Sequence, residues 1–253
     1  MVLMLTIHPS RAEDILVPEA PVFDPPVPVI PYADAFGNLG SRLVAPPGRF
    51  TMTNSALVRD SGLPDVLAAG AVEHRVEDLP GEAVGFLLGS RYCETDLLSD
   101  TAFALFGQVP AGWGRVQAIC DYVHNHIAFD YQAARATRTA KEAFQEGTGV
   151  CRDYAHLAIT FCRCLNIPAR YCTGYLGDMG TPQPWGTPDF AAWFEVYLGG
   201  AWHVFDARNN TPRIGRILLA RGRDATDVAI TTTFGANRLS AFEVRTDEVA
   251  AFV

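Results

Sequence analysis

No apolar run in this 253-residue chain approaches the ~20 residues of a membrane span. The N-terminus, MVLMLTIHPSRAED, has a short apolar stretch with no basic lead and no small-residue cleavage site behind it. These two absences predict a cytoplasmic protein. Basic residues are also short, 20 Lys+Arg against 28 Asp+Glu, for a formal net charge of −8. That balance speaks against a nucleic-acid or anionic-membrane partner, since both need a cationic face. The six cysteines (Cys93, Cys120, Cys151, Cys162, Cys164, Cys172) do not make a disulfide scaffold and lack the paired CxxC spacing of a zinc site. Most are expected to be buried small hydrophobes in a reducing compartment. No metal motif, phosphate-cradling glycine loop or internal repeat is visible.

What is present is a globular composition, 49 % hydrophobic and 19 % charged. A chain of this mass buries about 70 % of its unfolded surface, enough for a core without metals or disulfides. Six prolines between Pro18 and Pro31 exclude helix and central strand there. Short strands flank a turn at Asp34–Asn38, and another is expected over Gly48–Thr53. Residues 1–78 therefore read as a β-rich N-terminal domain, with Glu77–Glu82 as a linker and 79–253 as a second domain. In Gly114–Ile127 the apolar residues Val116, Ile119, Cys120, Val123 and Ile127 form the stripe of an amphipathic helix. A short helix is predicted over Thr139–Glu146, stopped by Gly147. The run Val150–Leu165 is apolar nearly all round, which predicts a buried helix. A strand over Ala169–Leu176 follows, then a loop rich in proline (Pro182, Pro184, Pro188). Next comes a hairpin with strands Ala192–Leu198 and Ala201–Ala207 around Gly199-Gly200. One or two weaker strands are expected past Asn209.

Cys151 falls where a glycine-punctuated loop becomes the buried helix. A helix N-terminus favours the thiolate, and its free N–H groups can bind a developing oxyanion. A two-residue Gly-Gly turn sets the hairpin register so that Trp193 faces Asp206 and residue 191 faces Arg208, all four on the face toward Cys151. A histidine at 191 would complete a Cys–His–Asp relay. Residue 191 is alanine. Of the other histidines, His203 lies on the opposite strand face, and His156 is more than a turn along the helix from Cys151. His8 and His74 lie in the β-rich region. His124 and His126 flank the stripe of the preceding helix, and nothing in the sequence decides whether His126 approaches the thiol. Trp193 and Trp202 read as core or cleft wall, Glu195 as the partner of a buried cation, and Arg208 as a partner of Asp206 or Glu195 or a clamp for a substrate carboxylate.

Four segments carry a resemblance to a known family. Gly149-Val-Cys-Arg-Asp-Tyr-Ala-His156, Ile167-Pro-Ala-Arg-Tyr-Cys-Thr-Gly-Tyr175, Asp189-Phe-Ala-Ala-Trp-Phe-Glu-Val196 and Trp202-His-Val-Phe-Asp-Ala207 resemble the motifs of transglutaminase-like proteins. The early Asp34-Ala-Phe-Gly-Asn38 is similar to the β-rich N-terminal region of bacterial members. The resemblance implies an α+β fold with a papain-like core, in which a nucleophile helix packs on an antiparallel sheet. It also implies thiol acyl transfer or amide hydrolysis through Cys151 with Asp206, and no cofactor. Ala191 occupies the general base's position and cannot act as one. The substrate would be a peptide, a protein or a small amide or ester. The alternative is a non-catalytic domain, degenerate or deliberately inactivated, whose cleft binds a peptide or protein partner.

Overall fold

The computed structural model describes residues 1–19, 21–180 and 189–249. The proline-rich loop at 182–188 lies outside the described residues. In chain order the strands of the first part are β1 (Val2–Leu3), β2 (Ile15–Val17), β3 (Val22–Asp24), β4 (Ile30–Ala33), β5 (Leu39–Arg42), β6 (Thr51–Thr53) and β7 (Leu57–Val58). Two of the pairings are small antiparallel ribbons, β2 with β7 and β3 with β6, which keeps the prolines at strand ends and edges. The hairpin β4–β5 turns at Asp34, whose carboxylate accepts the Phe36 and Asn38 N–H groups.

The second part begins with a short helix α1 (Gly81–Val84) in the predicted linker. It continues with α2 (Thr95–Phe106), α3 (Trp113–His126), β8 (Ala128–Phe129), α4 (Ala140–Glu146), β9 (Thr148–Gly149) and α5 (Cys151–Cys164). Then come β10 (Ala169–Leu176), β11 (Asp189–Leu198), β12 (Ala201–Phe205), β13 (Arg216–Gly222) and β14 (Thr231–Thr232). The predicted stripe of α3 is buried at Val116, Ile119, Cys120, Val123 and at Ile127 just beyond its end. Thr139 caps α4 and exchanges bonds with Glu142, and Gly147 ends it in the left-handed region at φ 62°. Every residue of α5 from Asp153 to Cys164 is buried.

The central sheet is antiparallel, in the order β12-β11-β10-β13. Helix α5 packs on one face, in a cluster with Ala192, Phe194, Val196, Leu198, Phe205 and Ala207. Alternate residues, Cys172, Leu176, Ala191, Trp193 and Leu218, form a second cluster on the other face. This second face is covered by the N-terminal part. The His8 N–H donates to Leu218 O, and the Asn38 side chain bonds both backbone groups of Arg221 on β13. The order β14-β1-β5-β4 brings residues 231–232 beside the N-terminus, so the N-terminal β-rich part is completed by a strand from the far end of the chain.

Candidate active site

The turn before Cys151 is built around Asp153. The Asp153 N–H donates to Val150 O (2.8 Å), and its carboxylate accepts the Val150 N–H (2.9 Å). A Cβ on Gly149 would stand 2.6–2.7 Å from the Asp153 side chain, so only glycine fits there. Asp153 is buried and paired with Arg138 (3.0 Å), which also bonds Glu146 and the Ala133 carbonyl. This network fixes the first turn of α5 and leaves Cys151 as its first residue. Cys151 is half-buried; the other five cysteines are buried. Burial pushes the thiols of Cys93, Cys120, Cys162, Cys164 and Cys172 upward, Cys164 to about 11. Cys151 is therefore the least buried thiol of the six, and it stands at a helix N-terminus.

The hairpin has the register that its Gly-Gly turn requires. Phe194 pairs with Phe205 and Leu198 with Ala201, and both glycines have positive φ (59° and 86°). The predicted strand to Ala207 is corrected, because β12 ends at Phe205. Asp206 turns the chain there, its carboxylate accepting the Asn209 N–H (2.9 Å) and the Asn209 side-chain amide (2.7 Å). Arg208 consequently lies in this turn and is not the cross-strand neighbour of Ala191. Its guanidinium sits over the Phe129 ring, 4.1 Å from the centroid, and His124 bonds its carbonyl. A second correction concerns the face. Ala191 and Trp193 do share a face, but α5 packs against the residues at 192, 194, 196 and 198, so strand alternation turns 191 and 193 to the opposite side. Trp193 is 2 % exposed and lies beneath the Arg216 guanidinium, 5.2 Å away. Glu195 pairs with Arg170 at 2.6 Å, as its reading as a buried cation's partner required.

Asp206 already has a cation. Arg216, at the start of β13, donates to Asp206 (2.8 Å) through one nitrogen and to Asp65 (2.8 Å) through another. Burial works to raise the Asp206 pKa, but Arg216 and the two Asn209 bonds hold it below the ordinary carboxylate value. Arg213 closes the network, donating its side chain to Asn209 (3.0 Å) and its backbone N–H to Asp65 (2.9 Å). Arg216, Arg213 and Asp65 escaped the sequence reading. The available signal was an arginine heading the apolar strand Arg216–Gly222, a buried cation that must find a carboxylate.

The histidines have partners of their own. His126 bonds Phe144 O (2.7 Å), His203 bonds Leu198 O (3.1 Å), and His74 accepts the Gly200 N–H (2.8 Å). His8 bonds Ser10 (2.9 Å). His156 stacks on Tyr92 and accepts the Ala225 N–H (3.1 Å); burial lowers its pKa to about 3, leaving it neutral.

The family model described as the transglutaminase-like superfamily matches residues 101–207, from α2 to the turn after Asp206. The crystal structure of a candidate cysteine protease from Cytophaga hutchinsonii shares 33 % identity and a TM-score of 0.79, covering 93 % of this chain and 80 % of that one. The chain belongs to the transglutaminase-like superfamily. Its α+β fold is that family's papain-like core with an added β-rich part. An uncharacterized protein of Mycobacterium leprae (strain TN) is 35 % identical over 91 residues, 35 % of this chain. The match spans about a third of that curated relative (32 %). No described helix is long and apolar enough to cross a membrane.

Proposed function

We propose that this transglutaminase-like chain performs thiol-dependent acyl chemistry at Cys151. The thiolate adds to the carbonyl of an amide or ester, the leaving group departs, and the resulting thioester passes its acyl group to an amine or to water. One observation carries the reading: of six cysteines, Cys151 alone is partly exposed, and it is the first residue of a buried helix in the nucleophile motif. The N–H groups of that first turn favour the thiolate and can hold the oxyanion. Ala191 supplies no base, and Asp206 is bonded to a guanidinium. The general acid–base assistance of a histidine, worth on the order of 10²–10⁴ in rate, is therefore absent at that position. Amides, whose leaving amine must be protonated, should turn over slowly; aryl esters, whose leaving group needs no proton, should acylate Cys151 faster. Brief iodoacetamide labelling with peptide mapping should mark Cys151 first. p-Nitrophenyl acetate should then release about one equivalent of nitrophenol in a burst that Cys151→Ala abolishes. Preferential labelling of Cys93 or Cys172, or a burst that survives Cys151→Ala, would sink the reading.

The Arg216–Asp206 pair, with its guanidinium over Trp193, favours a second reading, a non-catalytic domain that binds a peptide or protein partner. In that case the ester burst should be stoichiometric, with no deacylation following it.

A further inference from the structure

Arg208 is half-buried with its guanidinium on the face of Phe129, and among the described residues no carboxylate pairs with it, although the protein carries an excess of acid. A guanidinium held on an aromatic face keeps its hydrogen-bond donors free around its edge. Its place in the fold is set from three sides. Phe129 pairs with Gly149, two residues before Cys151, and the Asp130 N–H donates to Gly149 O (3.0 Å). Tyr154, whose hydroxyl donates to Ile127 O, has its ring 6.5 Å from that of Phe129, and the Arg208 charge acts on the Tyr154 phenol. Residues 151 and 154 are i, i+3 neighbours on one side of α5, which sets the guanidinium beside the helix turn that carries the thiol. His124 fixes the turn from behind through the carbonyls of Ala207 (3.2 Å) and Arg208 (2.9 Å). Arg138 and Arg152, the cations of the same turn, both pair with Asp153 (3.0 and 3.6 Å), and Arg152 also donates to the carbonyls of Ala136 and Arg135.

We propose that Arg208 is the receptor for a carboxylate on the acyl donor, so that the substrates of Cys151 are acidic. The inference rests on Cys151 being the acyl-accepting thiol, and its test does not depend on turnover. Iodoacetate and iodoacetamide both alkylate a thiolate, forming a C–S bond as the C–I bond breaks and iodide leaves, and they differ in carrying a carboxylate or a neutral amide. The ratio of their rates at Cys151, measured by peptide mapping, should exceed the same ratio for glutathione by at least tenfold. Arg208→Gln should return it to the glutathione value, Arg208→Lys should keep part of it, and 0.5 M salt should reduce it. A ratio equal to that of glutathione overturns the proposal. A raised ratio that survives Arg208→Gln also does, because it assigns the attraction to the helix N-terminus or to Arg152. If Cys151 resists iodoacetamide as well, the thiol reading itself fails, an outcome distinct from a reactive thiol without charge preference.

Discussion

The two faces of the central sheet are made by alternate residues of the same strands, and they solve different problems. On the α5 side, Ala192, Phe194, Val196, Leu198 and Phe205 meet an apolar helix, and the packing is aliphatic and aromatic. On the other side, Arg170 pairs with Glu195, and Arg216 with Asp65 and Asp206, around the small cluster of Ala191, Trp193 and Leu218. The first face gains stability from area removed from water. The second buries charges, where each ion is tolerable only while its partner stays. Ala191 lies on the second face, and Asp206, in the turn after β12, is tied to that face by Arg216. A residue lost there changes the electrostatics of its neighbours, whereas one lost on the first face leaves a void.

The largest effect should come from Arg216→Met, which strands the carboxylates of Asp65 and Asp206. We expect a loss of about 3–5 kcal/mol at pH 7 in urea denaturation. The deficit should shrink on acidification, as the Asp206 carboxylate, held below its ordinary pKa in the intact pair, takes up a proton. Leu198→Ala on the α5 face should cost a comparable 2–5 kcal/mol or so that does not vary with pH. Equal pH dependence in the two variants would erase the distinction between the faces.

Ala191→His tests whether the second face can hold a base. Ala191 is 5 % exposed in the cluster with Trp193, and the Asp206 carboxylate is already bonded to Arg216 and Asn209. The imidazole should therefore overpack, costing about 1–3 kcal/mol, with little gain in ester or amide turnover. A rise of about 10²-fold or more, lost again with Asp206→Ala, would show that Asp206 can exchange its guanidinium for an imidazole.

The smallest effect is a pH slope set by His156, buried under the α5 side. Its folded pKa of about 3 lies below the unfolded value near 6.5, so the unfolded chain binds a proton that the native state excludes. Its contribution is complete above pH 6.5 and declines as the pH drops below that value. Urea midpoints at pH 7.0 and 5.5 should show this decline, and His156→Gln should flatten it.

The elements that position the thiol were legible because their signals are local. The stripe of α3, the αL stop at Gly147, the all-apolar α5 and the Gly-Gly register each follow from residues a few positions apart. The face that α5 covers was written in β11, whose positions 190, 192, 194, 196 and 198 are all apolar while 189 and 195 are carboxylates, but placing residue 191 toward Cys151 overrode that pattern. The early end of β12 depended on Asp206 capping its own turn through Asn209. The Asp206–Arg216 pair depended on strand order, because two strands separate β13 from β12 in the sheet. Asp65 comes from a loop with no regular structure, which no periodicity announces.

The place of β1 between β14 and β5 bears on how the protein is made. During synthesis the first strand leaves the ribosome early, while its partner at Thr231–Thr232 follows more than 220 residues later. At the usual ~5–20 residues per second, the nascent N-terminal part waits on the order of ten seconds or more for that partner. The α5 helix and the β10–β12 strands emerge within that interval and offer a surface on which it can settle. The strand at the start of the chain is thus among the last to be completed, and a stall before residue 231 would leave its edge open to other chains.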